Sequence, residues 1–197
     1  KLVISTTRKI CEFDSALVNK RYLSNEIITV ARFDFPHKGY LIGLVDSFIN
    51  IKKKHPDVSL RIIGCGYGED ELRQRISTLD SYVSKSIIIE GPVSYDRLND
   101  YFAEAKVFVG LAGALFDAVS TGLPSIIVRH FTRVCEAYGF YQECPDKVIC
   151  DQPGKSIDDF LSHIFDVDKK EYLDISKEGY DVYKRQAQSR ESNTFDN

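Results

Sequence analysis

Short runs of β-branched and apolar residues alternate, along most of the chain, with longer segments whose apolar residues recur every three or four positions. The runs are EIITVA (26–31), VSLRIIG (58–64), SIIIEG (86–91), KVFVG (106–110) and SIIV (125–128), with KVIC (147–150) as a sixth. After the first run, Leu41, Val45, Phe48 and Ile51 mark a helix, which three lysines and Pro56 close. Leu72, Ile76 and Leu79 mark the next helix. Ser94 is placed to cap a third, which carries Leu98, Phe102 and Ala105. A short helix spans about 114–121, with Gly122 at the left-handed position beyond it and Pro124 opening the next strand. Strands this uniformly apolar must be covered on both faces, and a helix after each strand makes them parallel. Right-handed crossovers then predict a doubly wound, Rossmann-like α/β fold with a parallel sheet, in a single domain over residues 26–186.

The 197 residues suffice for one such domain and hardly for two. Residues 1–25 fit the pattern least well: KLVIS reads as a strand, and the rest as an N-terminal extension or a connection from a preceding domain. Two helices close the domain, with Ser156–Asp159 and Asp168–Glu171 spaced as capping boxes, and residues 187–197 form a polar, frayed tail. The chain starts at Lys1 and contains no methionine, which reads as a piece of a longer polypeptide.

Twenty-six basic and 29 acidic residues leave a net charge of −3, so no basic field favours nucleic acid as a partner. The longest nearly uncharged stretch, 107–128, is broken by Gly110, Gly113, Gly122 and Pro124, and no part of it is long enough to span a membrane. No secretory pattern opens the chain, and the expected location is cytoplasmic. Five cysteines, at 11, 65, 135, 144 and 150, include no CxxC pair. They read as reduced thiols, and neither a metal site at His130, Cys135, Cys144 and Cys150 nor a cofactor is expected.

Ligands of a doubly wound sheet sit beyond the carboxyl ends of its strands, which directs attention to four loops. In VARFDFPHKG (30–39), Arg32 ends a strand and Lys38 precedes a helix. A guanidinium fork and an ammonium point charge in one crevice suit a diphosphate, although solvated loop cations are the commoner fate of such residues. GCGYGEDEL (64–72) has the glycines of a tight strand-to-helix turn, but Glu69 stands where a dinucleotide fingerprint needs Gly or Ala. Glu69, Asp70 and Glu71 also crowd the helix start and repel phosphate, so a nicotinamide dinucleotide is disfavoured. EGPVS (90–94) offers backbone for a flat base, or is simply a turn. In VGLAGALFDAVSTGLP (109–124), Gly110 and Gly113 precede a helix that starts without acids and so suits an anion. Asp117, one turn further, either accepts hydrogen bonds from a ribose or is an ordinary helix carboxylate.

In order and separation, ARFDFPHKG, GCGYGEDEL, GPV and DAVSTGLP resemble the motifs of the C-terminal, donor-binding domain of GT-B-fold glycosyltransferases of the family 4 (group 1) type. The resemblance covers about residues 26–130. It implies that Arg32 and Lys38 bind the donor diphosphate and stabilise the leaving nucleoside diphosphate, the catalytic role they would share. It further implies that Gly66, Pro92, Val93, Gly113, Ala114 and Asp117 help bind the nucleotide sugar. Asp117 would stand for the ribose-holding glutamate, and Gly113 and Ala114 would present backbone amides near the phosphates. Such enzymes move a sugar, with retention of configuration, from a nucleoside-diphosphate sugar to an acceptor hydroxyl, commonly in polysaccharide or glycoconjugate synthesis. Their acceptor sits on an N-terminal domain missing from this chain, through which alone peripheral membrane association would come. The family often has two glutamates eight positions apart; here the first position is Val109, so the sugar-side carboxylate is unassigned and any role for Glu136 is a guess. The rival expectation is a non-catalytic nucleotide-binding module used in regulation or interaction.

Overall fold

The computed structural model describes residues 12–192, with side chains to residue 189. Five strands make the parallel body of the sheet: β1 (Glu26–Val30), β2 (Ser59–Ile63), β3 (Ile87–Glu90), β4 (Val107–Gly110) and β5 (Ser125–Val128). Two more strands, β6 (Glu136–Phe140) and β7 (Lys155–Ser156), extend one edge in antiparallel fashion. The order across the sheet is β3-β2-β1-β4-β5-β6-β7. Chain progress therefore reverses between β1 and β4, the topological switch point of a doubly wound sheet.

The helices are α1 (Ser15–Tyr22), α2 (Tyr40–Lys54), α3 (Glu69–Ser77), the single turn α4 (Ser81–Ser84), α5 (Leu98–Glu104), α6 (Ala112–Ser120), α7 (Ile157–Asp166) and α8 (Lys169–Ser192). Strand side chains alternate between two cores. Ile27, Leu60, Ile62, Val107, Val109, Ile126 and Val128 pack with α2, α3 and α7. Ile28, Ile63, Phe108 and Ile127 pack with α5, α6 and the far part of α8. β4 and β5 are buried at every position and β1 at its three central ones, which is why these segments are so largely apolar, whereas β2 keeps Arg61, paired with Glu26 and Glu90, and the edge strand β3 leaves Ile88 exposed.

Three expectations change. KVIC is not a strand: Pro145–Lys147 form a 3-10 turn, after which Val148 is buried and Ile149 exposed. The sixth strand is Glu136–Phe140, whose burial alternates as an edge strand's does, and which returns antiparallel beside β5. Ser94 precedes a 3-10 turn, Tyr95–Arg97, and its hydroxyl caps nothing. α8 runs through Ala187, which is buried, to Ser192, so the polar segment begins inside a packed helix. The strand expected at KLVIS lies outside the described residues.

Residues just before β1 are integral to the packing. Asp14 caps α1 by accepting from the amides of Ala16 and Leu17, at 2.9 and 3.1 Å. Arg21 is fully buried and donates to the carbonyls of Phe102 (2.9 Å) and Thr121 (2.8 Å) and to the Thr121 hydroxyl (3.0 Å). Thr121 is the C-terminal cap of α6 and Phe102 lies in the last turn of α5, so one guanidinium serves two helix C-termini. Among the described residues, no helix is long and apolar enough to cross a membrane.

Candidate functional site

β1 and β4 pair in register, Ile28 opposite Phe108, and two residues later both strands end, at Val30 and Gly110. The chain leaving β1 toward α2 and the chain leaving β4 toward α6 thus emerge side by side. The first carries Arg32 and Lys38; the second carries Gly113, Ala114 and Asp117.

The β1 loop is held in place by the glycine loop after β2. Amides of Ala31 and Phe33 donate to the carbonyls of Ile63 (3.0 Å) and Cys65 (2.9 Å), and the Gly68 amide returns to Phe33 O at 2.9 Å. A Cβ on Gly64 would lie 1.9 Å from Ala31 O, one on Gly66 2.8 Å from the Phe33 backbone, and one on Gly68 2.5 Å from the Phe35 ring. Gly64 and Gly66 also have positive φ, at 145° and 158°. These glycines let two strand-end loops lie against each other, with Phe33 and Phe35 buried between them and Arg32 turned to solvent. Of the acids that follow, Glu69 pairs with Arg73 at 2.7 Å and Glu71 with Arg133, so part of the negative charge at the start of α3 is compensated.

Arg32 has 78% of its side chain exposed and lies 3.4 Å from Asp34. Lys38 is half-buried at the entry to α2. Its ammonium is pulled down to about 8, first by burial and further by Arg32, while Asp34 opposes the shift. Asp34, a residue passed over in the sequence, is thus the counter-ion between the two cations. A phosphate group arriving here would compete with a single carboxylate and relieve a repulsion between Arg32 and Lys38.

The β5–β6 connection packs against the same β1 loop. The Phe131 amide donates to His37 O at 3.0 Å, and the Phe131 ring lies 4.7 Å from that of His37 and 4.9 Å from that of His130. Gly39 and Gly43 of the α2 entry face Thr132 O and Cys135 N so closely that added Cβ atoms would sit at 2.7 and 2.2 Å. His130 is buried, its Nδ1 has no hydrogen-bond partner among the described residues, and burial lowers its basicity, as it does for His37. Glu136 is held by Arg129 at 2.7 Å, in an ion pair that fastens the start of β6 beside the end of β5.

At the other strand end, Leu111 caps α6 with no side-chain hydrogen bond, and the first turn holds no acid. Ala112 takes a positive φ of 57°, a strained geometry for a non-glycine residue that turns the chain sharply from β4 into α6. Gly113 and Ala114 follow in this first turn, and both are partly exposed. Asp117 is buried and accepts a hydrogen bond of 2.7 Å from the hydroxyl of Tyr95, which lies 22 residues earlier, after β3. Pro92 is exposed and Val93 half-buried in the same β3–α5 loop, so that loop, Asp117 and the start of α6 meet on one side. Tyr95 was invisible in the sequence, because only the fold brings it to Asp117. No group of three or more His, Cys, Asp or Glu side chains that could hold a metal occurs among the described residues.

The sequence model of the family described as "Glycosyl transferases group 1" matches residues 24–145. No curated protein matches the chain significantly. Among solved structures, the C-terminal domain of the group 1 glycosyl transferase LpcC from Francisella tularensis superposes with a TM-score of 0.61 at 18% identity, covering 90% of this chain and 94% of that one. Anabaena HepE, in complex with UDP and glucose, gives 0.63 at 13% identity, covering 93% and 52%. A mutant of S. aureus TarM, in a complex that includes UDP, gives 0.61 at 13% identity, covering 88% and 34%. The chain therefore spans about a third of TarM and about half of HepE. At these identities the likeness is one of fold, that of the C-terminal half of a GT-B architecture.

Proposed function

The chain belongs to the group 1 glycosyltransferases, and from that premise we propose that it is the sugar-nucleotide-binding half of a retaining enzyme. The reaction is transfer of a sugar from a nucleoside-diphosphate sugar to an acceptor hydroxyl, in polysaccharide or glycoconjugate synthesis in the cytoplasm. The observation that carries this reading is the placement of Arg32 and Lys38 at the switch point, beside an α6 start whose N-cap residue, Leu111, makes no side-chain cap and whose first turn holds no acid. Arg32 presents its donor fork to one phosphate and Lys38 its ammonium to the other. As the glycosidic bond breaks, negative charge grows on the leaving diphosphate. Two fixed cations and the N-terminal dipole of α6 favour that charge more than the ground state, which is the requirement for catalysis. Gly113 and Ala114 supply backbone to the phosphates. Asp117 takes the ribose, and Gly66, Pro92 and Val93 complete the nucleotide side.

Acceptor binding and the rest of the chemistry belong to a preceding domain, so this chain alone binds nucleotide and transfers little sugar. A nucleotide-binding module without catalysis is the rival, favoured by the lack of any carboxylate between Val109 and Phe116. Calorimetry with UDP, GDP and ADP tests the reading. Wild type should bind at least one of them, and Arg32→Ala should lose about ten- to a hundredfold in affinity, the loss of one charge-assisted contact. An unaltered affinity in that variant would sink the proposal. Binding without turnover, once the preceding domain is joined, would favour the rival.

A further inference from the structure

The loop between β3 and α5 stands off the body of the domain. Pro92, Ser94, Tyr95, Asp96 and Arg97 are exposed, and a Cβ on Gly91 would meet nothing within 4 Å. Tyr95 is itself 61% exposed, yet its hydroxyl lies 2.7 Å from Oδ1 of a carboxylate that is only 8% exposed. A mostly solvated ring whose polar tip reaches a buried acid links the projecting loop to the middle of α6. The link has a consequence for the acid. An aspartate has one methylene fewer than a glutamate, so the direction of its second oxygen follows the plane of a short side chain. A hydrogen bond from a phenol, which has only two side-chain torsions, fixes that plane at little entropic cost.

We propose that Tyr95 is a positioning residue for the nucleoside: its hydroxyl sets the Asp117 carboxylate for the vicinal hydroxyls of a ribose and ties the base-side loop, Pro92 and Val93, to α6. Base side and ribose side then meet the ligand as one preformed surface. This inference rests on the diphosphate-site reading above, and the experiment separates the two.

The probe is whichever of UDP, GDP and ADP the wild-type chain binds most tightly, with its 2′-deoxy counterpart and inorganic pyrophosphate alongside. Each is titrated calorimetrically into wild type, Tyr95→Phe, Asp117→Asn and the double variant. Tyr95→Phe should weaken the ribonucleotide by about five- to thirtyfold, less than the full value of a hydrogen bond to a charged group because the Tyr95–Asp117 bond is already present in the free protein. It should bring the ribo-to-deoxy ratio toward one and leave pyrophosphate unchanged. The double variant should bind no worse than Asp117→Asn, because the two residues act through one contact. Tyr95→Phe also takes a donor from a buried carboxylate, so the thermal midpoint should fall by a few degrees, a change read separately from the ribo-to-deoxy ratio. An unchanged ribo-to-deoxy ratio in Tyr95→Phe, with equal weakening of pyrophosphate, would make Tyr95 a mere loop tether and overturn the proposal. Tighter ribonucleotide binding would overturn it too, by showing that the phenol occupies the ribose's place. Failure of wild type to bind any diphosphate would bring down the earlier reading and this one with it.

Discussion

Burial at the entry to α2 takes water from the Lys38 ammonium, and nearby Arg32 adds repulsion, so the group titrates near 8 in the ligand-free protein. A diphosphate beside it favours the protonated form and raises that value. The complex therefore holds more protons than the free protein above pH 8, and affinity must fall as pH rises through that point, by at most about tenfold per unit. Folding shows the opposite sign. The folded-state value lies below the unfolded one of 10.5, so Lys38 stabilises least below pH 8 and its contribution grows as pH rises from 8 toward 10.5. Calorimetry between about pH 7 and 9.5 should show weakening binding in wild type and a flat profile in Lys38→Arg, whose charge does not titrate. A profile identical in the two would remove Lys38 from the phosphate site. The positions of Arg32 and Lys38, just past a strand end and just before a helix, were legible in the sequence because a strand run and a helix period bracket them. Asp34 and Tyr95 were not, since each acquires its meaning from a contact made in the fold: Asp34 with the loop's two cations, and Tyr95 across the sheet's helical layer.

At the scale of elements, the four βα units could be read directly because their strands are short apolar runs, buried at every position in β4 and at the three central positions of β1. β6 was missed for the converse reason. Its Glu136 and Tyr138 alternate with buried Ala137, Gly139 takes a φ of 150°, and its partner is an antiparallel strand reached through an irregular loop. α1 offered no period because it contributes just Val18 and a charged residue, Arg21, to the buried interior. Arg21 is nonetheless the joint between α1 and the C-termini of α5 and α6. Burial lowers its guanidinium to about 10, still high enough to keep it charged at neutral pH, against the partial negative charge of the helix ends. Arg21→Ala would leave the Phe102 and Thr121 carbonyls buried without these donors. The cost should be about 3 kcal/mol, since each lost bond to a charged group contributes about 1.5 kcal/mol or more. Urea denaturation should show a lower midpoint with an unchanged slope. The folded fraction should bind nucleotide normally, because this joint sits where α5 and α6 end, at the opposite end of the strands from Arg32. A loss below about 1 kcal/mol would mean that water replaces the guanidinium there.

The whole molecule divides unequally about its sheet. β1, β2, β4 and β5 lie between two helical layers, whereas β7 is two exposed residues at the edge, and the loops of the candidate site share the carboxyl-end rim. Local opening should follow that division. Amides of Ile28, Ile62, Phe108 and Ile127 should exchange only on global unfolding, and those of Lys155 and Ser156 within the fastest class. A nucleoside diphosphate that bridges Arg32, Lys38 and the start of α6 lowers the free energy of states in which the β1 and β4 loops are both closed. Added protection should therefore appear together in residues 31–39, 91–97 and 111–117, while the β6–β7 edge, which begins two strands beyond β4, stays as it was. Hydrogen exchange followed by mass spectrometry, with and without saturating nucleotide, reads this pattern by segment. Protection confined to one of the three loops would show that the ligand does not bridge the switch point, and protection spread evenly over the sheet would show general stabilisation by binding to the native state. The concerted pattern is what two cations on one side of the switch point and an acid-free helix start on the other require.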